Sequence, residues 1–350
     1  MAPAPLALRP AAWPRDGDVR LLHVDLSAGR WSDLRMSDLP RLLRPGDLLV
    51  VNDAATLPAS LAGESRFGPI EVRLAGVPEG GPASRGPWPA VLFGAGSWRQ
   101  RTEDRPAPPA LGAGERVVLG DLYAEVIRVS GASPRLVELV FDREGDALLA
   151  AIHRLGRPVQ YSYLEGALEP WHVQTPYAAR PWAVEMPSAG RPLRLPLLRA
   201  LRLRGVDVVA LSHAAGLSSS GEAALDALLP LPERSLIPAE TVEAIGRCKG
   251  GGGRIVAAGT TVVRALEGRA AQGAGVLQAG AGLTDLRLGP GQERRIVDGL
   301  LTGLHQPGGS HFGLLQSFAP RALLEAAVRH AAEDGYLGHE FGDLSLLLPA

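Results

Sequence analysis

Apolar residues recur along this chain in two rhythms. Near the N-terminus, Leu21-Leu22-His23-Val24 and Leu48-Leu49-Val50-Val51 have the length and apolar continuity of buried strands, the second launched by the turn Arg44-Pro45-Gly46-Asp47. From about Gly63 to Val140 the runs shorten and alternate with polar positions: Ile70–Leu74, Ala90–Phe93, Arg116–Leu119, Ala124–Ile127 and Leu136–Val140, separated by Gly/Pro loops. Runs of that period and spacing predict a small antiparallel barrel or sandwich with no good helix in it.

After Asp146 the rhythm lengthens. Pro196 at a first helical position, apolar Leu197, Leu198 and Leu201, charged Arg199 and Arg202, and Gly205 as a stop predict an amphipathic helix, with Val206–Leu211 as the buried strand behind it. The pattern repeats with a helix over Pro238–Cys248, a strand over Arg254–Ala258, a tight turn Gly259-Thr260-Thr261 and a helix over Val262–Ala271. Ile296-Val297-Asp298 reads as strand, and Pro320–Asp334 as a further helix closed by Gly335. The predicted fold is therefore a mixed α/β (α+β) main domain, residues 1–62 plus 147–350, interrupted by an antiparallel β-barrel domain over 63–146.

Composition narrows the class. The 350 residues are 46% hydrophobic, with 36 basic against 37 acidic side chains and a formal charge of −1, so the chain has neither the hydrophobic poverty nor the charge excess of a disordered one. The balance argues against a uniformly cationic nucleic-acid coat and leaves a local basic patch open. A single cysteine, Cys248, excludes an internal disulfide and zinc-finger spacing and fits a reducing cytoplasm. No leader-like or membrane-length apolar run is present, so a soluble, unexported chain is expected.

Several residues are candidates for chemistry. Gly259-Thr260-Thr261 stands where a strand meets a helix, so its backbone N–H groups and hydroxyls are placed to bind a carboxylate, phosphate or ribose oxygen. Arg264, one helical turn on, either extends that anion site or pairs with Glu267 on the surface. His213 follows a buried strand and precedes the Gly/Ser-rich loop Ala214–Gly221, where open α/β sheets tend to bind ligands. His305 lies in a Gly-rich loop, whereas His305 and His311, six apart with no cysteine or carboxylate spacing, make a poor metal site. His330, near the end of a helix, reads as a bystander. No GxSxG elbow, Walker loop, HExxH or GxGxxG before a helix occurs.

In order along the chain, Pro14-Arg15-Asp16, Pro45-Gly46-Asp47 through Asn52-Asp53, Leu57-Pro58-Ala59, Pro187-Ser188-Ala189-Gly190, His213, Gly259-Thr260-Thr261 with Arg264 and Glu267, Thr284-Asp285, Val297-Asp298, Leu301-Thr302, His305, Ser317-Phe318-Ala319 and Phe341-Gly342-Asp343 resemble the S-adenosylmethionine:tRNA ribosyltransferase-isomerase family of queuosine biosynthesis. The resemblance implies a mixed α/β domain interrupted by a β-barrel. It implies S-adenosylmethionine as co-substrate, whose ribosyl portion passes to 7-aminomethyl-7-deazaguanine in tRNA to give epoxyqueuosine, with release of adenine and methionine. It adds Glu233 and Asp298 to His213 and His305 as catalytic candidates, and Ser188, Ala189 and Gly190 to Gly259, Thr260, Thr261 and Arg264 as co-substrate-binding ones. A sulfonium acidifies the adjacent C5′ hydrogens, so this chemistry asks for a positioned base, donors for sugar oxygens and a dry pocket, and for no metal. A cytoplasmic monomer without membrane association is expected.

The chain departs from the family's pattern in places. Ala55 and Ser60 stand where the family places arginines and Pro192 where it places a histidine, while Leu231-Pro232-Glu233 keeps only the acid of a His-Ser-Glu element. The departures predict weakened contact with tRNA and leave three readings open: the tRNA enzyme, the same activation applied to a small-molecule acceptor, and a non-catalytic ligand-binding descendant.

Overall fold

The computed structural model describes residues 3–8 and 19–350, so Pro14-Arg15-Asp16 lies outside the described residues. In chain order the strands are β1 (Arg20–Asp25), β2 (Arg30–Arg35), β3 (Leu48–Asn52), β4 (Ala54–Thr56), β5 (Ser60–Ser65), β6 (Gly68–Leu74), β7 (Trp88–Phe93), β8 (Arg116–Leu119), β9 (Leu122–Ser130), β10 (Ser133–Phe141), β11 (Arg180–Ala183), β12 (Asp207–His213), β13 (Glu233–Ile237), β14 (Ile255–Ala258), β15 (Gly280–Thr284), β16 (Gly299–Gly303) and β17 (Leu344–Leu348). The helices are α1 (Leu39–Leu42), α2 (Gly145–Leu155), α3 (Leu195–Leu203), α4 (Ala223–Asp226), α5 (Ala239–Gly250), α6 (Thr260–Gln272), α7 (Ser310–Leu315) and α8 (Arg321–Glu333).

Nine strands form one open sheet in the order β15-β13-β12-β3-β14-β16-β17-β1-β2. Its centre, β12-β3-β14-β16, is parallel, which explains why these segments are nearly continuous apolar runs: helices cover both faces. Alternation within β3 divides the core. Leu48 and Val50 join Val262, Leu266 and Val328 on one face, and Leu49 and Val51 join Leu39 and Leu201 on the other. Among the described residues no helix is long and apolar enough to cross a membrane.

The segment of short alternating runs closes into a six-stranded antiparallel barrel, β10-β7-β6-β5-β8-β9. The buried residues of β10 fall on every second position, Ser133 to Phe141, as a barrel wall requires. The loop following β12 enters this second core: Ala214 and Leu217 belong to the cluster containing Leu74, Trp88 and Val91. The mixed α/β sheet with a closed antiparallel barrel is the expected fold class.

Two local readings need correction. Ile296-Val297-Asp298 is not strand; β16 begins at Gly299. The carboxylate of Glu267, buried on α6, accepts the N–H groups of Arg295, Ile296 and Val297 at 2.8, 3.0 and 2.8 Å, so a side chain takes the donors that a ladder would have used. The same contacts remove the surface pairing of Arg264 with Glu267, since both are buried and turned to different partners. The sequence reading also passed over α2, β13, β15 and β17; β15 is a Gly-rich edge strand, with little hydrophobic pattern to signal it.

Candidate active site

The central parallel strands deliver Asn52, His213, Gly259 and Gly303 to one edge of the sheet, the carboxyl-end edge where open α/β sheets bind ligands. Asn52 ties His213 to the first turn of α6. Its Oδ1 accepts the His213 N–H at 2.9 Å, and its Nδ2 donates to the His213 carbonyl at 3.0 Å and to Thr261 Oγ1 at 3.3 Å. Ser212 donates its hydroxyl to Asp53 beside it.

Gly259 has φ +102°, a conformation that glycine alone adopts without strain, and this opens the first turn of α6. A Cβ placed there would lie 3.7 Å from Ala189 Cβ, so the Ser188–Gly190 turn packs against the start of the helix. Ser188, Ala189 and Gly190 thus meet Gly259, Thr260 and Thr261 in space although some seventy residues separate them in sequence. The helix start contributes N–H groups and positive dipole potential, and Ser188, Thr260 and Thr261 contribute hydroxyls.

Deeper in, Glu233 joins three groups. His213 Nε2 lies 2.8 Å from Glu233 Oε2, Arg264 Nη1 also bonds that oxygen, and the Gly216 N–H donates to Oε1 at 2.8 Å. His213 is 0% exposed and Glu233 and Arg264 are 7% each. Burial by itself would raise the Glu233 carboxyl, but His213 and Arg264 hold it below the usual carboxylate range. Arg264 also donates from Nε to the Leu286 carbonyl at 3.1 Å. The other reading of Arg264, direct extension of an anion site, competes with this commitment to Glu233.

His305 is partly accessible. Its Nε2 lies 2.8 Å from Thr302 Oγ1, and its ring stacks on His311 with centroids 4.8 Å apart and planes 12° from parallel. Burial, reinforced by His311 and His339, pushes the His305 imidazole well below its ordinary value. Asp298 does not join this group. Its Oδ2 accepts the Ile255 N–H at 2.8 Å at the amino end of β14, the opposite end of that strand from Gly259, and there it fastens the start of β16 to the sheet.

The sequence reading missed a second wall. Tyr161 donates its hydroxyl to Glu185 Oε1, the Ser218 N–H donates to the same oxygen at 3.0 Å, and burial raises the Glu185 carboxyl. Near them, the His339 ring lies tilted by 38° against Tyr163 with centroids 4.2 Å apart, and its Nδ1 lies 3.1 Å from Glu340 Oε2. The available signal was Glu185 standing two residues ahead of Pro187; nothing in the pattern of Tyr161 or Glu340 marked them. The potential metal grouping found among the described residues, Asp33, His330 and Asp334, is remote from this edge, and Arg20 and His330 already bond its carboxylates.

An open α/β sheet whose carboxyl edge collects imidazoles, carboxylates and a glycine-opened helix start, beside a closed barrel, has the architecture of an α/β enzyme. The chain belongs to the queuosine biosynthesis protein family, whose model matches residues 2–347. It is 36% identical to the S-adenosylmethionine:tRNA ribosyltransferase-isomerase of Acidithiobacillus ferrooxidans, over 100% of this chain and 94% of the relative. It is 34% identical to the protein of that name from Thermus thermophilus, over 95% and 90% of the two chains. The crystal structure of S-adenosylmethionine tRNA ribosyltransferase from Thermotoga maritima, at 24% identity, shares the fold with a TM-score of 0.52 over 98% of this chain and 96% of that one.

Proposed function

We propose that this chain transfers the ribosyl portion of S-adenosylmethionine to a 7-aminomethyl-7-deazaguanine base in tRNA and isomerises it to the epoxide, releasing adenine and methionine. Two findings support the reading: the nearly end-to-end match to relatives named for this reaction, and the meeting of the Ser188–Gly190 turn with the start of α6. The second carries the argument from fold to site. It brings the residues proposed to bind the co-substrate to one place at the sheet's carboxyl edge.

In this reading Ser188, Thr260, Thr261 and the first N–H groups of α6 hold the polar oxygens of S-adenosylmethionine. His213, Glu233 and Arg264 are a buried polar wall that fixes the loop after β12 and keeps the pocket dry, so charge forming on the sugar is not screened by water. The base that removes a C5′ proton comes from the loop and helix following β16, beginning at His305. The setting proposed is the cytoplasm, where the acceptor tRNA is found, with the protein acting as a monomer.

The test is release of adenine from S-adenosylmethionine with and without tRNA carrying the aminomethyl base. Release that rises on adding this tRNA is the expected result. Release that ignores the tRNA would reject the acceptor, and no release in its presence would reject the reaction.

A further inference from the structure

The site contains more imidazoles than the reading above uses, and they differ in access. His213 is fully enclosed, with Nε2 engaged by Glu233, so it reaches no substrate atom. His305 has Nε2 engaged by Thr302. His311, on the first turn of α7, is exposed, although it lies among the charged groups of the cleft: Glu233 and Arg264 act on it electrostatically, and its face is covered by His305. The ring is therefore accessible at its edge and held on one face.

We propose that His311 is the residue that accepts the C5′ proton, with His305 as the positioning residue that holds its ring by stacking; this deepens, and rests on, the function proposed above. Stacked rings 12° from parallel direct their nitrogens edgewise, so His305 fixes the plane of His311 without occupying either of its nitrogens through the ring face. The groups facing His311 suit an acceptor. The atoms that crowd the ring and the Arg264 guanidinium lower its pKa from the ordinary value, and Glu233 acts in the opposite sense by favouring the imidazolium. His305 is the poorer acceptor of the two, because its electrostatic neighbours, His311 and His339, are both imidazoles.

The step balances. The C5′–H bond breaks, its electron pair remains on carbon beside the sulfonium, and the proton forms a new N–H bond on His311. The departing adenine takes that proton, which returns the imidazole to its neutral form.

The experiment compares adenine release, in the presence of the aminomethyl-bearing tRNA, by the whole protein and by His311→Phe, which keeps a flat ring against His305 but has no nitrogen. The expected kcat falls by on the order of 10²-fold or more, with KM for S-adenosylmethionine changed by less than about threefold. The acid limb of the kcat/KM profile should vanish, and His311→Ala should regain turnover on addition of imidazole. His311→Gln supplies the same comparison if the phenylalanine variant does not fold, and His330→Ala, outside the cleft, should match the parent. A kcat within about threefold of the parent, or an unchanged acid limb, overturns the assignment to His311 while leaving the reaction intact. Absence of release by the parent protein overturns the proposed reaction and this assignment together.

Discussion

At the scale of single residues, the site separates groups that support from groups that act, and the distinction follows from what each buried polar atom touches. Glu233 has its oxygens occupied by His213, Arg264 and the Gly216 N–H, so it organises its neighbours. His305 is different, because burial and two neighbouring imidazoles oppose its protonation. Its pKa is lowered on folding, so as pH falls below about 6.5 the unfolded chain binds a proton that the folded chain refuses. The stability this group contributes is present above that value and is lost as pH falls toward its folded pKa, at no more than about 1.4 kcal/mol per pH unit. Urea unfolding at pH 7.5 and 5.5 should therefore show the parent weakening in acid, and His305→Gln weakening less. An equal acid loss in both proteins would place the effect elsewhere.

Among the elements, α6 carries the most constraints. Its start is opened by Gly259, its second turn sends Arg264 to Glu233, and Glu267 beside it receives the backbone donors of 295–297. One helix therefore sets both the end of the site proposed to hold the co-substrate and the point at which β16 begins. Replacing Glu267 by Ala leaves the buried N–H groups of Ile296 and Val297 without acceptors, at a cost of about 3 kcal/mol. Denaturant unfolding measures that loss, and hydrogen exchange should show the amides of Ile296 and Val297 losing protection before those of β14. Retained protection at both amides would mean that the strand entry holds without its carboxylate.

For the whole molecule, the question is how barrel and sheet are coupled, and the loop after β12 is the physical answer. Ala214 and Leu217 pack in the barrel's core while Gly216 between them bonds Glu233 in the cleft. A Cβ on Gly216 would stand 2.9 Å from the Ala75 carbonyl at the end of β6 and 3.5 Å from Glu233 Oε1. The Gly216→Ala protein should accordingly lose about 1–3 kcal/mol of stability and lose adenine release out of proportion, because the displaced backbone withdraws a donor from Glu233. Unfolding and turnover measured on the same preparation check this, and a variant with parental turnover would show that barrel and cleft are uncoupled here. The barrel also bears on the expected weakening toward tRNA. Ser60, where the family resemblance implies an arginine, donates to Glu71 at 2.8 Å and lies opposite Arg73 in the β5–β6 register, so a guanidinium reaches this place from the neighbouring strand. Arg73 and Arg105 are buried against Glu71, so the charge there is internal and already paired.

The apolar rhythm by itself determined the division into an α/β sheet and a barrel, because burial on two faces and burial on one leave different periods, as β3 and β10 show. It also placed His213 and the Gly259 turn at strand ends, since each follows a strand whose run is visible. What it did not decide is which polar side chains meet. The contact of Ser188–Gly190 with Gly259, the joining of His213 and Arg264 through Glu233, and the wall of Tyr161 and Glu185 are pairings across long loops. The separation of Asp298 from the imidazoles has the same origin. A carboxylate or imidazole next to a strand looks alike at either end of it, and only the direction of β14 and β16 within the assembled sheet sends Asp298 to the supporting edge and His311 to the cleft.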